Sequence, residues 1–436
     1  MHALVIAIGS TGDIHHMLGL GCAFRERGHR VTFVTHPPFQ GLVERCGLRF
    51  LGVGTAEHYN AAMNNPALWN PRTSLATLWG LIAGELRGLY DVLLHECDGE
   101  TVMVGSLWAF AARLVQEKHG VPLVMVQVSP STVLSARLPP VHKRFTLPGW
   151  LPYPLRAAFL KLVDPLVLDR LFGPQLNRVR AELGMAPVSR IMTRWMHSPQ
   201  GVLGLFPDWF APPQSDWPPE LRLTGFPLFD EGGLHRIDDE TEAFLGAGAP
   251  PVVFTSGSTL VDGPAFYRTS LGVLRRLNRR GILLTRENAP AGTDLRDVLV
   301  RSYVPMSALL PRVAALVHHG GIGTVAQAFA AGVPQLATPF AHDQFDNAER
   351  MQRLGCGLRL DSPVEAPALT AALARLLDNP AVLASCREIR AKVEPGAVTC
   401  GRAAEFVEGL ARQVGRYSGP ASLSSAPAAE PPAVGV

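Results

Sequence analysis

Two α/β domains, each a parallel sheet flanked by helices, are what this 436-residue sequence predicts. Three observations carry that expectation. The chain is long enough for two such domains. Its composition, 47% hydrophobic and 18% charged, suits sheets buried on both faces. The pattern of apolar strand, glycine turn and helix opens the chain and returns near residue 320.

Residues 2–8, HALVIAI, read as the first strand. Gly9-Ser10-Thr11-Gly12-Asp13 turns into a helix over about 14–27, which Gly28-His29 stops, and 30–35 is the next strand. The turn is G-x-x-G, not G-x-G-x-x-G, and Val34-Thr35-His36-Pro37 offers no acid to a nicotinamide ribose. A dehydrogenase is therefore disfavoured. Asp13 reads either as a helix N-cap or as a general base at the sheet's mouth; His15 and His16, one turn on, are substitutes or packing. Ser74 caps a helix whose stripe Trp79, Ile82, Leu86, Tyr90 and Leu93 has the spacing of a core face. Strands at 101–104 and 121–128 end at Gly105-Ser106-Leu107-Trp108 and Ser129-Pro130-Ser131. Residues 146–180 are proline-broken, apolar and basic, with no acid before Asp164. They read as amphipathic helices packed over a site, or as a surface touching membrane or lipid. Arg156 and Lys161 are too few for a strong electrostatic anchor, so packing is preferred. Strands at 202–206 and 221–224 close a first domain.

Residues 230–250 are rich in Gly, Asp and Glu and read as a linker. A strand at 252–255 leads to Ser256-Gly257-Ser258-Thr259, and strands follow at 282–286, 298–303 and 315–317. The last ends at His318-His319, followed by Gly320-Gly321-Ile322-Gly323-Thr324 and a helix over 325–331 that Gly332 stops. A glycine turn between strand and helix is an anion cradle: backbone N–H groups and the helix dipole converge, and glycines let a phosphate approach. Thr324 adds a hydroxyl and His319 an imidazole N–H. After a strand at 335–338, Asp343-Gln344 falls where a parallel sheet's carboxyl edge meets ligand. Helices follow at 364–377, 381–392 and 399–416. The tail 418–436 is Ser, Ala, Pro and Gly with one charge, Glu430, and is expected to be disordered.

A net charge of +3 gives no reason to expect nucleic acid. Six cysteines without a C-x-x-C read as reduced thiols in a cytoplasmic protein. The start lacks a basic n-region and its apolar run breaks at Gly9, so no signal peptide is expected. No apolar run reaches the roughly 18–20 residues of a membrane span.

The stretch 317–350 resembles the nucleotide-sugar signature of the inverting glycosyltransferases that act on plant secondary products, macrolides and glycopeptides. His319, Gly321, Thr324, Gly332-Val333-Pro334, Pro339 and Asp343-Gln344 match it in register. Ile322-Gly323 replaces the plant form's Trp-Asn, and Gln327 replaces a Glu that holds ribose hydroxyls. The resemblance implies the GT-B architecture, two Rossmann-like domains facing across a cleft. Residues 1–229 would bind the acceptor, 230–250 link, 251–395 bind the donor, and 396–417 return to the first domain. It implies Asp13 as catalytic base beside Gly12, since glycopeptide- and sterol-type relatives carry Gly-Ser-x-Gly-Asp there. It implies Ser258, His319, Thr324 and the N–H groups of Gly320, Gly321 and Gly323 on the diphosphate. Tyr303 would stack on the base, Val304 pair with its edge, and Asp343 and Gln344 hold sugar hydroxyls. No cofactor or metal is implied, and no Asp-x-Asp stands at a strand end.

Longer runs, among them VGSLWAFAAR, QVSPSTVLSARLPPVH, RWMHSPQGV, TGFPLFD and AHDQFDNAERMQRLGCGLRL, are similar to the rhamnosyltransferases of bacterial mono-rhamnolipid synthesis, over residues 1–412. That implies L-rhamnose transfer from dTDP-L-rhamnose to the hydroxyl of a 3-(3-hydroxyalkanoyloxy)alkanoate. Trp69, Trp79, Ile82 and Phe159 would wall the lipid pocket, and Arg156 or Arg144 would meet its carboxylate. The alternatives are a UDP- or dTDP-hexose transferase acting on another lipophilic alcohol, and a non-catalytic lipid- or partner-binding protein of the same fold. The expected location is the cytoplasm, with peripheral contact at the inner membrane.

Overall fold

The computed structural model describes residues 1–143, 146–231, 233, 235–257, 263–285, 295–362 and 364–414. The first sheet comprises β1 (His2–Ile6), β2 (Arg30–Thr35), β3 (Arg49–Gly52), β4 (Thr101–Ser106), β5 (Leu123–Gln127), β6 (Val202–Gly204) and β7 (Leu221–Leu223). Their order is β3-β2-β1-β4-β5-β6-β7, with every pairing parallel. The second sheet comprises β8 (Val252–Thr255), β9 (Gly281–Leu284), β10 (Val298–Arg301), β11 (Ala315–His318), β12 (Gln335–Ala337) and β13 (Gly357–Arg359). Its order is β10-β9-β8-β11-β12-β13, again all parallel. The central strands β1, β4 and β8 are buried at every position, as sheets covered by helices on both faces require.

In each sheet the strand order reverses once, between β1 and β4 and between β8 and β11. Connections there leave in opposite directions and open a crevice at the strands' carboxyl ends. The turn Gly9–Asp13 follows β1, Ser256-Gly257 follows β8, and His319 follows β11, so the topology itself brings these segments to the two crevices. The domains are latched across the cleft. Ser129 Oγ donates to Asn347 Oδ1 at 3.1 Å, Val141 N to Asp346 Oδ1 at 3.0 Å, and Gln327 Nε2 to the Leu228 carbonyl at 3.1 Å. The last helix, Gly396–Val414, buries Ala403, Ala404 and Val407 in the first domain's core beside the helix Thr11–Glu26. Its Glu408 accepts from Arg27 Nε at 2.6 Å.

Three expectations change. The short strands β3 and β13 were not foreseen; each carries a charged Arg, and it is sheet pairing that makes them strands. Residues 230–250 contain a helix, Asp239–Gly246, which Asp238 caps through the N–H of Thr241 at 2.8 Å. The prolines of 146–180 do not break the chain. A helix Tyr153–Val163, one wider π-type turn Asp164–Leu168 and a helix Asp169–Glu182 run on continuously. Pro165 lies in that π segment, whose wider i→i+5 spacing relieves the clash of its ring with the preceding turn. Among the described residues, no helix is long and apolar enough to cross a membrane.

Candidate active site

The cradle forms as its sequence dictates. Gly321 is the N-cap of the helix Ile322–Ala331, and Gly332 closes it in the left-handed conformation at φ 72°. The first helical bond is Val325 N to the Gly321 carbonyl, 3.0 Å. The N–H groups of Ile322, Gly323 and Thr324 precede it, at the positive end of the dipole. Beside them the His319 ring is flanked by two glycines. A Cβ on Gly257, itself at φ 84°, would come within 2.6 Å of it, and a Cβ on Gly321 would collide with Nε2. His319 Nδ1 and Ser256 Oγ are buried without a hydrogen-bond partner, the signature of donors and acceptors awaiting a ligand. Burial pushes His319 down to about 4, so at neutral pH it supplies an N–H rather than a charge.

One expected cradle member does not serve. The N–H of Gly320 donates to His318 Nδ1 at 3.1 Å, and its carbonyl accepts from Asn347 Nδ2 at 3.1 Å. Gly320 is needed because φ is 93° and a Cβ would lie 2.9 Å from the Gln344 carbonyl. It shapes the turn, and its N–H is not free for a ligand. Ser258 lies outside the described residues.

Asp13 is not an N-cap. Ser10 is the N-cap, and Asp13 is the third helical residue, closing a capping box. Its Oδ2 accepts from Ser10 N at 2.8 Å and Ser10 Oγ at 2.9 Å. Gly9, at φ 140°, has no room for a Cβ against that carboxylate. Two donors on one oxygen fix the carboxylate's direction, and its negative charge reaches His342 and Asp343 across the cleft. His16 donates Nδ1–H to the Gly12 carbonyl at 2.5 Å, and a Cβ on Gly323 would meet its ring at 3.1 Å, so it packs against the cradle. His15 pairs with Glu231 at 3.2 Å.

Asp343 ends the loop after β12 and leads the helix Gln344–Arg353. Burial pushes its carboxyl up to about 6, the charge of Asp13 adding to the shift and a 2.7 Å bond from Asn347 Nδ2 opposing it. Gln344 Oε1 accepts from Phe340 N and Ala341 N, at 2.9 and 3.0 Å. That leaves its Nε2 for a ligand. Two residues here were missed in the sequence. Asn347 joins Gly320, Asp343 and Ser129; the i+4 spacing from Asp343 was the available signal. His342 takes φ 52° and meets the Trp69 ring edge-on at 5.4 Å, and nothing short-range announces that.

Asp13, His319, Asp343 and Gln344 line one cavity of about 1000 Å³. Gly12, Asp13, Tyr303, Val304, His319, Gly321, Gly323, Thr324, Gln327, Asp343 and Gln344 line one end, and Trp69, Leu75, Leu78, Trp108, Phe159 and Phe172 the other. The Tyr303 hydroxyl donates to the Asp230 carbonyl, which holds its ring at the cleft. Trp79 and Ile82 are corrected from pocket wall to core. Trp79 is 1% exposed, packs on Phe172 at 4.9 Å and donates Nε1–H to Gln175 at 3.1 Å. Neither Arg nor Lys is among the described lining residues. Arg156 instead donates to the Arg137 carbonyl at 3.3 Å, and Arg144 lies outside the described residues. No described group of three or more His, Cys, Asp or Glu is placed to hold a metal ion.

Residues 3–137 match the glycosyltransferase family 28 N-terminal domain, and residues 281–399 the erythromycin biosynthesis protein CIII-like C-terminal domain. The chain is 28% identical over 419 residues to O-mycaminosyltylonolide 6-deoxyallosyltransferase of Streptomyces fradiae, covering 89% of this chain and 93% of that one. It is 29% identical over 425 residues to glycosyltransferase GtfE of Amycolatopsis orientalis, covering 95% and 98%. The solved structure of the kitacinnamycin glycotransferase superposes with a TM-score of 0.70 at 23% identity, over 94% and 98% of the two chains. The spinosyn rhamnosyltransferase SpnG with thymidine diphosphate does so at 0.59 and 19%, over 93% and 100%. The protein is a nucleotide-sugar glycosyltransferase of the two-domain GT-B architecture. Its two halves are similar to a family 28 N-terminal domain and an EryCIII-like C-terminal domain.

Proposed function

We propose that this glycosyltransferase moves L-rhamnose from dTDP-L-rhamnose to the hydroxyl of a 3-(3-hydroxyalkanoyloxy)alkanoate, with inversion at the anomeric carbon. One observation carries the reading: one cavity of about 1000 Å³ is lined both by the glycine cradle and by large apolar side chains of the first domain. The structurally similar spinosyn rhamnosyltransferase with thymidine diphosphate supports the donor. So does Gln327. Its Nε2 is committed to the Leu228 carbonyl, and it stands where a carboxylate would grip a ribose 2′-hydroxyl that deoxythymidine lacks.

In this reading Asp13 takes the acceptor's proton as its oxygen attacks the anomeric carbon. His319, Thr324 and the N–H groups of Gly321, Ile322 and Gly323 hold the departing diphosphate, where charge grows in the transition state. Asp343 and Gln344 hold sugar hydroxyls, and Tyr303 and Val304 hold the base. Helix dipole and imidazole do the work of a cation, so the reaction needs no metal.

The test is a donor panel, dTDP-L-rhamnose, dTDP-glucose, UDP-glucose and UDP-galactose, with a hydroxyalkanoyloxyalkanoate acceptor and EDTA present. Rhamnolipid should form fastest from dTDP-L-rhamnose, and EDTA should not slow it. Gln327→Glu should narrow the preference for dTDP over UDP. Equal turnover with UDP-glucose, or loss on chelation restored by magnesium, overturns the corresponding part.

Asp343 makes donor binding pH-dependent. Protonation removes the charge that strengthens its acceptance from sugar hydroxyls, so donor affinity should weaken as pH falls through about 6. Its folded value lies above the ordinary 3.8, so its linkage favours folding below about pH 4, and that contribution is lost as pH rises through about 6. Calorimetric titration of donor between pH 5 and 8 should show the fall, and Asp343→Asn should flatten it while binding more weakly throughout.

A further inference from the structure

We propose that residues 226–231 form a strap that couples occupancy of the nucleobase site to the placement of Asp13, with Glu231 as the positioning residue. The strap follows β7, and Thr399 Oγ1 of the last helix anchors its start by donating to the Phe226 carbonyl at 2.7 Å. Leu228 and Glu231 stand at φ 52° and 59°, in the left-handed region that residues with a Cβ rarely adopt. Such residues persist where the surroundings over-determine them, and they cluster where position matters to function. Here the surroundings come from both domains. On the donor side, Gln327 Nε2 holds the Leu228 carbonyl, Ser307 N donates to Asp230 Oδ2 at 2.6 Å, and the Tyr303 hydroxyl donates to the Asp230 carbonyl. On the acceptor side, Glu231 Oε1 lies 3.2 Å from His15 Nε2, and its Oε2 lies 3.5 Å from Arg45 Nη2. The Phe229 ring meets His15 edge-on at 5.9 Å.

The acceptor-side contact is directional. The His15 bond, opposed by burial, holds the Glu231 carboxyl below the ordinary carboxylate value. An ionised carboxylate only accepts, so His15 Nε2 and His235 Nε2, the latter 3.2 Å from Oε2, both present protons to it. His15 shares the first turns of the helix Thr11–Glu26 with Asp13, and both residues line the cavity with Glu231 and Tyr303. Holding His15 therefore sets the rotation of the turn whose capping box aims the Asp13 carboxylate. The helix lies close against the strap, since a Cβ on Gly19 would stand 3.1 Å from Phe229 Cβ. A base stacked on Tyr303 restrains that ring, its hydroxyl restrains Asp230, and the next residue restrains His15. One unbroken chain of contacts thus runs from the nucleobase site to the general base, and a bound donor steadies the group that activates the acceptor. This rests on reading Tyr303 as the base platform and Asp13 as the base.

The test uses the full chain, with dTDP and UDP as probes in hydrogen exchange. The nucleotide that binds should slow the amides of residues 11–20 in the wild type. Glu231→Ala should still bind it and lose that protection. Its kcat, with the donor the panel above selects, should fall by about 10–100-fold, the scale of loss when a reacting group is misplaced by about 1 Å, while donor KM holds. Glu231→Gln keeps an oxygen for His15 but turns amide hydrogens toward His235 and Arg45. It should show the same changes in smaller measure, and it carries the test if the Ala variant does not fold. Tyr303→Phe keeps the ring and cuts the strap at its other end, so its loss and that of Glu231→Ala should not add in the combined variant. No protection of the wild type by either nucleotide overturns the proposal. So do retained protection or unchanged kcat in Glu231→Ala, and so do additive losses. Weakened nucleotide binding with normal kcat would make Glu231 a ligand contact and overturn it as well. Protection by UDP alone would reject the dTDP reading and leave the strap standing.

Discussion

Asp13→Asn is expected to lower kcat by about 10²–10⁴-fold, the span a positioned general base contributes, while donor affinity stays near normal. An alcohol is a poor nucleophile until its proton has an acceptor. Asp13 stands at the carboxyl end of β1, on the cavity wall, its carboxylate aimed by the two donors of Ser10. Asn keeps the shape, and its one oxygen can accept both of those bonds, so the capping box survives. Only the favourable charge near the helix N-terminus goes, worth about 0.3–1 kcal/mol. The structural role therefore predicts near-normal turnover and the basic role predicts a collapse, with melting temperature almost unchanged in either case. His15→Ala is the informative control, because its partner Glu231 is known; His16→Ala is less clean, since that ring packs against Gly323. If His15→Ala abolishes turnover and Asp13→Asn retains it, the base is the histidine.

His319→Ala should cost about 10²–10³-fold in kcat, the loss seen when one preorganised donor to a developing anion is removed. The ring is held between Gly257 and Gly321 with Nδ1 unpartnered, so it needs little reorganisation as the diphosphate departs. Burial keeps it neutral, and its contribution is a directed N–H. His319→Gln should therefore recover part of the loss, whereas a residue acting by charge would be rescued only by a cation. The acid limb of the pH profile should track Asp343 near 6, not His319. An Ala variant that keeps turnover but loses stability would reduce His319 to a filler of the β8–β11 crevice.

Much of this architecture was legible in the chain. The apolar strands, the glycine turns and the helix stops at Gly28 and Gly332 are short-range features, decided by steric and hydrogen-bonding rules that act over a few residues. So the cradle could be located before any packing was known, and the residues of Asp343-Gln344 with it. The short edge strands β3 and β13 could not, because pairing with a neighbour distant in sequence makes them strands.

What only the tertiary structure decided is which atoms are free and which faces are covered. The stripe of Trp79 and Ile82 and the stripe of Leu155 and Leu162 have the same helical period. The first is sealed by Phe110 and Phe172, and the second is left to solvent. Gly320 looked like an anion donor until His318 and Asn347 took its N–H and carbonyl. Asp343 is an ordinary carboxyl in sequence, and its high pKa comes from burial and from Asp13, some 330 positions away along the chain. Local pattern fixes conformation because backbone sterics are local. Burial, charge environment and access are set by whatever the rest of the chain brings alongside, and these decide which of the candidate residues can bind or react.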